Sequence, residues 1–365
     1  MAGHTNVSMN AAAKAKNDEF YTLLTDIEKE MRYYRKHFKG KTVFCNCDDP
    51  FESNFFKYFV LNFNRLELKK LIATCYATSP ILGQQLSLFD VVGGEEGQRN
   101  KPYKAVVTKV YDVTGDGGVD MLDVAELFKQ HENELTELEG DGDFRSEECL
   151  ALLDETDIVV TNPPFSLFSE YVATLMVHEK KFIIIGNSNA ITYKEVFPLI
   201  MQDKLWLGVT RSGTGSMWFR VMDDFPVKSG QKVENGVRYQ TIGNSAWFTN
   251  LDVKKRHEEL ILVKRYLPEE YPRYDNYEAI EVSKIVDIPL DYAGVMGVPI
   301  TFLGKYSPDQ FEIVGATESE GKGFSNGLWN EASGIAQPLI KGVRKYKRIF
   351  IRNRHPEQPK EVQQQ

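Results

Sequence analysis

The sequence predicts an α/β fold built on a doubly wound sheet, and three observations carry that expectation. Short apolar runs rich in β-branched residues alternate with segments of helical period as far as about residue 250. One of them, Lys181-Phe182-Ile183-Ile184-Ile185-Gly186, is almost wholly apolar, as a strand covered on both faces should be. Another, Asp157-Ile158-Val159-Val160-Thr161, runs into Asn162-Pro163-Pro164-Phe165. Neither proline has an N–H to donate, so the strand must end there. The prolines fix two φ angles and push Asn162 into an extended conformation. A stiff loop at the carboxyl end of a strand is where open α/β sheets bind ligands.

Taken in order, residues 1–16 are polar and alanine-rich and are expected as a disordered tail. Leu24, Ile27, Met31, Tyr34 and Phe38 recur at steps of three and four, which predicts an amphipathic helix with Thr22 or Thr25 as N-cap and Gly40 past its end. Lys41–Cys47 reads as a strand, Glu52–Phe63 as a helix and Leu68–Cys75 as a second strand, together a βαβ unit. Ser79–Gln98 is loop-like. Tyr103–Val113 is expected as a strand, Asp120–His131 as a helix and Ser146–Leu153 as a short helix. Ser166 can cap a helix running to His178. Ile191–Met201 looks helical, Lys204–Thr210 and Ser216–Met222 look like paired strands, and Tyr239–Phe248 reads as one strand across Gly243. From about residue 260 the chain is rich in Tyr, Pro and Gly, with short strand candidates such as Phe311–Val314.

A chain of 365 residues can bury a large core and is expected to form two domains. No apolar run is long enough to span a bilayer, and the N-terminus lacks the charged and apolar regions of a signal peptide, so a cytoplasmic protein with no membrane partner is expected. The four cysteines are spaced unlike a zinc site and read as reduced thiols, and no metal is expected. The net charge of −8 is unevenly spread. Glu132–Asp157 is heavily acidic, with Arg145 as its one Lys or Arg. Lys341–Arg354 carries seven basic residues and no acid, interleaved with Val343, Tyr346, Ile349, Phe350 and Ile351. That pattern suits an ordered element contacting phosphates as well as it suits a solvated tail.

Chemically, the Asn162 carboxamide oxygen and the Pro163 carbonyl are two acceptors on one stiff loop. An exocyclic amino group could donate one hydrogen to each, which would aim its lone pair at an electrophile, while the Phe165 ring offers a stacking surface. Trp247 and Phe248 are open either to walling a base pocket or to core packing, with core packing favoured.

These residues resemble an S-adenosylmethionine-dependent N6-adenine DNA methyltransferase, and more narrowly the EcoRI-type family. Asn162-Pro163-Pro164-Phe165 matches the family's catalytic motif. Lys16–Thr22, with Phe20, Tyr21 and Thr22, matches the N-terminal motif that holds the methionine end of the cofactor. Asn46-Cys47-Asp48-Asp49-Pro50 stands in place of the first cofactor loop, and Asp143-Phe144 where the cofactor adenine is contacted. The resemblance implies a Rossmann-like methyltransferase domain over residues 17–255 and a target-recognition region over 256–365. It implies S-adenosyl-L-methionine as cofactor and double-stranded DNA as partner, with a flipped adenine as the reacting base. A monomer and an accompanying restriction endonuclease are both compatible with it. Two departures stand out. The first loop has no glycine, and the second strand ends Thr74-Cys75-Tyr76 with no acid for the ribose, leaving Asp48 or Asp49 for that role. The motif also occurs in methyltransferases of RNA guanine and protein glutamine, and a non-catalytic DNA-binding derivative of the fold would lack cofactor binding.

Overall fold

The computed structural model describes residues 21–46, 50, 53–75, 102–210, 217–221, 229–242, 244–318 and 323–358. The chain divides into two compact units, Met1–Ala190 with Thr210–Leu251, and Ile191–Val209 with Asp252–Gln365.

The first unit opens with β1 (Tyr21–Thr22), α1 (Leu24–Met31), α2 (Arg35–Phe38), β2 (Thr42–Cys45), α3 (Asn54–Leu61) and β3 (Lys70–Thr74). There follow β4 (Tyr103–Val107), α4 (Met121–Lys129), β5 (Glu134–Glu137), α5 (Glu147–Asp154), β6 (Ile158–Thr161), α6 (Phe168–Val177) and β7 (Lys181–Asn187). The second unit then takes α7 (Phe197–Met201) and β8 (Trp206–Leu207). The first unit closes with β9 (Met217–Arg220), β10 (Gln231–Glu234), β11 (Val237–Ile242) and β12 (Ser245–Thr249).

A large mixed sheet forms the centre of this unit, in the order β5-β4-β3-β2-β6-β7-β12. The pairs β2–β3, β2–β6 and β6–β7 are parallel, whereas β3–β4, β4–β5 and β7–β12 are antiparallel. The parallel strands are buried on both faces: Val43, Phe44, Val159, Val160 and Phe182–Ile185 are all inaccessible to solvent. Ser53 caps α3 by accepting from the Phe55 and Phe56 N–H groups, and Ser146 caps α5 at Cys149. Asp120 and Asp123 form a capping box on α4. Gly186 is required by packing, because a Cβ there would overlap the Phe168 ring of α6. A second sheet, β1-β9-β11-β10, is antiparallel throughout.

Several local expectations are corrected. The first helix breaks after Met31 and resumes at Arg35, and Leu23 rather than a threonine stands at its N-cap because Thr22 is paired in β1. The acidic stretch contains an edge strand, β5, whose charges suit an edge. Tyr239–Phe248 is two strands in two different sheets, the first ending at Ile242 and the second starting at Ser245. Met217–Arg220 pairs with β1 and β11, not with the segment before it. Ser166 is not a cap: a single 3₁₀ turn, Phe165–Leu167, precedes α6, since the extended Pro164 turns its carbonyl to the Leu167 N–H at 3.0 Å. The stretch Ser79–Gln98 lies outside the described residues.

In the second unit, β13 (Ile280–Glu281), β14 (Met296–Pro299), β15 (Phe311–Ala316) and β18 (Arg348–Asn353) make a sheet in the order β13-β14-β18-β15. A separate hairpin pairs β16 (Leu339–Ile340) with β17 (Val343–Arg344). Tyr274, Tyr277, Ala279 and Phe350 form a buried cluster. Beside it the Arg348 guanidinium grips Glu281 with two bonds, Nη2–Oε1 at 2.6 Å and Nε–Oε2 at 3.0 Å, and Tyr274 and Ser283 donate to the same carboxylate. Burial alone would raise the Glu281 pKa, but these donors outweigh it and hold the carboxyl below its ordinary range.

The packing in the two units leads to three predictions. Gly186→Ala should cost about 1–3 kcal/mol through overpacking against Phe168; an unchanged urea midpoint would contradict it. Arg348→Ala leaves a buried carboxylate unpaired and should cost about 3–5 kcal/mol. The Glu281 pair contributes above the unfolded-state pKa of about 4.3 and is lost as pH falls through the lower folded value. Acid unfolding curves should therefore flatten in Glu281→Gln.

Candidate active site at the centre of the parallel sheet

The chain leaves β2 to one side, towards β3, and leaves β6 to the other, towards β7, while β2 and β6 lie side by side. This is a topological switch point, and in open α/β sheets ligands bind outside the carboxyl ends of the strands at such a point. Asn46 follows β2 directly, and Asn162 follows β6. Thr74 ends β3, one step beyond the Cys45–Ala73 pairing and thus in register with Asn46.

The two loops are tied together. The Thr161 hydroxyl donates to the Asn46 carbonyl, and the Tyr171 hydroxyl on α6 donates to the Asn46 carboxamide oxygen. Tyr171 in turn receives Phe144 edge-on, with ring centroids 4.9 Å apart. Arg145 also lies over Phe144, with its guanidinium carbon 5.3 Å from the ring centroid. Asp143 fixes that guanidinium through Nε at 2.8 Å and Nη2 at 2.6 Å. Burial works to raise the Asp143 pKa, yet Arg145 prevails and keeps the carboxyl low. Asn46, Phe144 and the end of β6 are thus one connected set.

Asn162 and Pro163 are buried, whereas Pro164 and Phe165 are half-buried. The Asn162 Oδ1 is fully shielded from solvent. Because the Pro164 carbonyl is engaged by Leu167, the Pro163 carbonyl is the better-placed acceptor of the two. Tyr21 and Thr22 stand on β1, and the Thr22 carbonyl accepts from Asn54 Nδ2 at 2.8 Å, which links this motif to the start of α3. Pro50 is buried. Phe20, Cys47, Asp48 and Asp49 lie outside the described residues. Trp247 packs edge-on against Phe55, and Phe248 packs against Phe168, so both belong to the core.

A cofactor with hydroxyl, amino and adenine groups fits what is present. The Thr22 and Thr74 hydroxyls are buried with no hydrogen-bond partner among the described residues, a costly state that a polar ligand would relieve. Phe144 supplies an aromatic surface. Sequence reasoning missed Tyr171, Arg145 and Thr74. An aromatic on an apolar helix carries no signal separating it from core, but a threonine at the end of a strand beside the first loop does carry one. Away from the site, the carboxylates of Asp112, Asp116 and Asp123 lie within 4.8 Å of one another. Those of Asp112 and Asp123 accept backbone N–H groups of the 113–120 turn.

Comparison with known proteins agrees with this arrangement. Residues 8–354 match the family described as adenine-specific methyltransferase EcoRI. The chain is 47% identical over 316 residues to the type II methyltransferase M.EcoRI of Escherichia coli, covering 85% of this chain and 89% of that protein. It is 36% identical over 355 residues to the type II methyltransferase M.MpnI of Mycoplasma pneumoniae, covering 94% and 98%. With the type II methyltransferase M.MgeORF184P of Mycoplasma genitalium the identity is 39% over 311 residues, 84% of each. No solved structure matches the chain. A match of this extent, over a chain whose Asn-Pro-Pro-Phe loop stands at the switch of its sheet, places it in the EcoRI family of adenine-specific methyltransferases.

Proposed function

We propose that the protein methylates the N6 amino group of an adenine flipped out of duplex DNA, at a site held by Asn162-Pro163-Pro164-Phe165, with S-adenosyl-L-methionine as donor. The observation that carries this reading is the position of the Asn162–Phe165 loop. It starts at the carboxyl end of β6, next to β2, with its strand tied through Thr161 to Asn46. Residues 17–255 form the Rossmann-like catalytic domain in this reading, and residues 256–365 recognise the target.

The site works by positioning. An adenine in a duplex must leave the stack, at a cost of about a few kcal/mol, before a buried loop can reach its amino group. Asn162 Oδ1 and the Pro163 carbonyl each accept one amine hydrogen, which holds the nitrogen with its lone pair directed away from the loop. Phe165 stacks on the base. When bound, S-adenosylmethionine supplies an electrophilic methyl group. Tyr21, Thr22, Asn46, Pro50 and Phe144 would hold it, along with Phe20, Cys47, Asp48 and Asp49 of the same two motifs, and Asp143 would act by fixing Arg145 against Phe144. The Thr74 hydroxyl stands in for the acid missing at the end of β3.

Asn162→Ala should abolish methyl transfer while leaving S-adenosylmethionine affinity within about twofold; tritiated transfer to adenine-containing DNA at near the wild-type rate would refute the mechanism. Duplex DNA, RNA and protein substrates assayed in parallel test the substrate class. Thr22→Val removes one hydroxyl without changing shape. By calorimetric titration it should weaken S-adenosylmethionine binding about fivefold, the equivalent of one hydrogen bond of about 1 kcal/mol. An unaltered isotherm would remove Thr22 from the site.

A further inference from the structure

The basic run Lys341–Arg354 divides in two in the structure. Its second half is consumed by the fold. Arg348 is buried against Glu281, Arg352 pairs with Glu312 at 2.9 Å, and the Arg354 Nε donates to the Pro308 and Phe311 carbonyls at 2.9 and 3.1 Å. The first half is different. Lys341, Arg344 and Lys347 are exposed, and none of their side chains has an ion-pair or hydrogen-bond partner among the described residues. Two apolar side chains share the element and also face solvent, Tyr346 at 88% exposure and Val343 at 61%.

These exposed residues are nonetheless mounted on an anchored backbone. Lys341 and Gly342 form the tip of the β16–β17 hairpin, both with positive φ, as a two-residue type I′ turn requires. The Asp275 carboxylate accepts from both tip N–H groups, at 3.1 and 2.7 Å, and so spends its charge on the backbone. Asn276 binds the Leu339 N–H and the Ile335 and Gln337 carbonyls. The Tyr277 hydroxyl and the Trp329 indole N–H hold the Ala336 and Ile335 carbonyls. Cations that stabilise a fold are paired, as Arg348 and Arg352 are. Lys341 at the braced tip, and Arg344 and Lys347 along the chain that leaves it, are open to a partner that brings the negative charge.

We infer that the β16–β17 hairpin, with the three residues that follow it to Lys347, is the element that grips the DNA backbone, with Lys341, Arg344 and Lys347 each on a phosphate. This inference rests on the function proposed above. On a chain of net charge −8, affinity for a polyanion has to come from a local cluster of this kind. A braced backbone limits the ordering cost of binding to three side chains.

The test is the salt dependence of duplex binding by the full chain. Each phosphate contact contributes about 0.9 to the slope of log K against log salt. The triple variant Lys341→Gln, Arg344→Gln, Lys347→Gln should lower that slope by about 2.7, with its thermal midpoint and S-adenosylmethionine affinity unchanged. A control triple, Lys39→Gln, Lys109→Gln, Lys129→Gln, removes the same charge from lysines that are already paired and should leave the slope as it was. A wild-type slope in the hairpin variant, or an equal fall in the control, overturns the inference. If the unmodified chain transferred no methyl group to adenine in duplex DNA, the functional reading would fail instead. Transfer by the unmodified chain with no slope change in the hairpin variant sinks the hairpin alone.

Discussion

The hydroxyl of Thr161 on the carbonyl of Asn46 is the constraint on which the rest of the site depends. β2 and β6 are hydrogen-bonded neighbours, but sheet pairing fixes only the strands and leaves the loops beyond them free. The Thr161 bond carries the restraint two residues past the last β2–β6 pair, Phe44–Val159, and Tyr171 extends it to the Asn46 side chain. Phe144 then rests on Tyr171, so the position of one aromatic ring is set by a chain of contacts that starts in the sheet. A methyltransferase that works by alignment needs its two binding loops fixed with respect to each other, since small errors of placement are costly. Here the two loop starts are aligned by Thr161 and Tyr171, side chains to which the proposed mechanism gives no ligand contact.

Much of this was legible in the sequence because its causes are local. Prolines 163 and 164 end a strand by their own covalent structure, and the β-branched run before them announces the strand. The serine caps at Ser53 and Ser146 lie within three residues of the groups they satisfy. What was not legible depended on residues far apart. Nothing in the text of α6 says that Tyr171 reaches back across 125 positions to Asn46, since an aromatic there is equally good as core. Trp247 and Phe248 show the reverse, being core residues that a pocket could also have used. Gly243 looked like a pause inside one strand, whereas the residues on its two sides join different sheets. The sheet a strand enters is set by tertiary pairing, which short-range periodicity does not encode.

The charge pattern of the second unit needed the structure in the same way. As a sequence, seven basic residues in a row of fourteen form one feature. Folded, they separate according to whether a carboxylate or carbonyl is within reach. Arg348 lies in the sheet beside Glu281 and is interior; Lys347, its neighbour, is exposed. Burying a guanidinium is tolerable only with a bidentate partner and further donors around that partner, which Tyr274 and Ser283 provide. One residue earlier there is no such arrangement, and the charge stays in water.

The division of the chain into units has a consequence for the order in which the protein is made. The first unit is interrupted by Ile191–Val209, which belongs to the second. Its last strand, β12, pairs with β7 only after that excursion, Ser245 meeting Asn187. A chain emerging from its amino end therefore exposes one edge of the apolar strand β7 until residue 249 has appeared. Meanwhile α7 waits with apolar residues uncovered for β15, more than a hundred positions later. Both delays come from non-local pairing, the kind that slows folding and leaves strand edges open to wrong partners. The nascent central sheet thus passes through an interval in which β7 is its bare outer strand, open to pairing until β12 arrives.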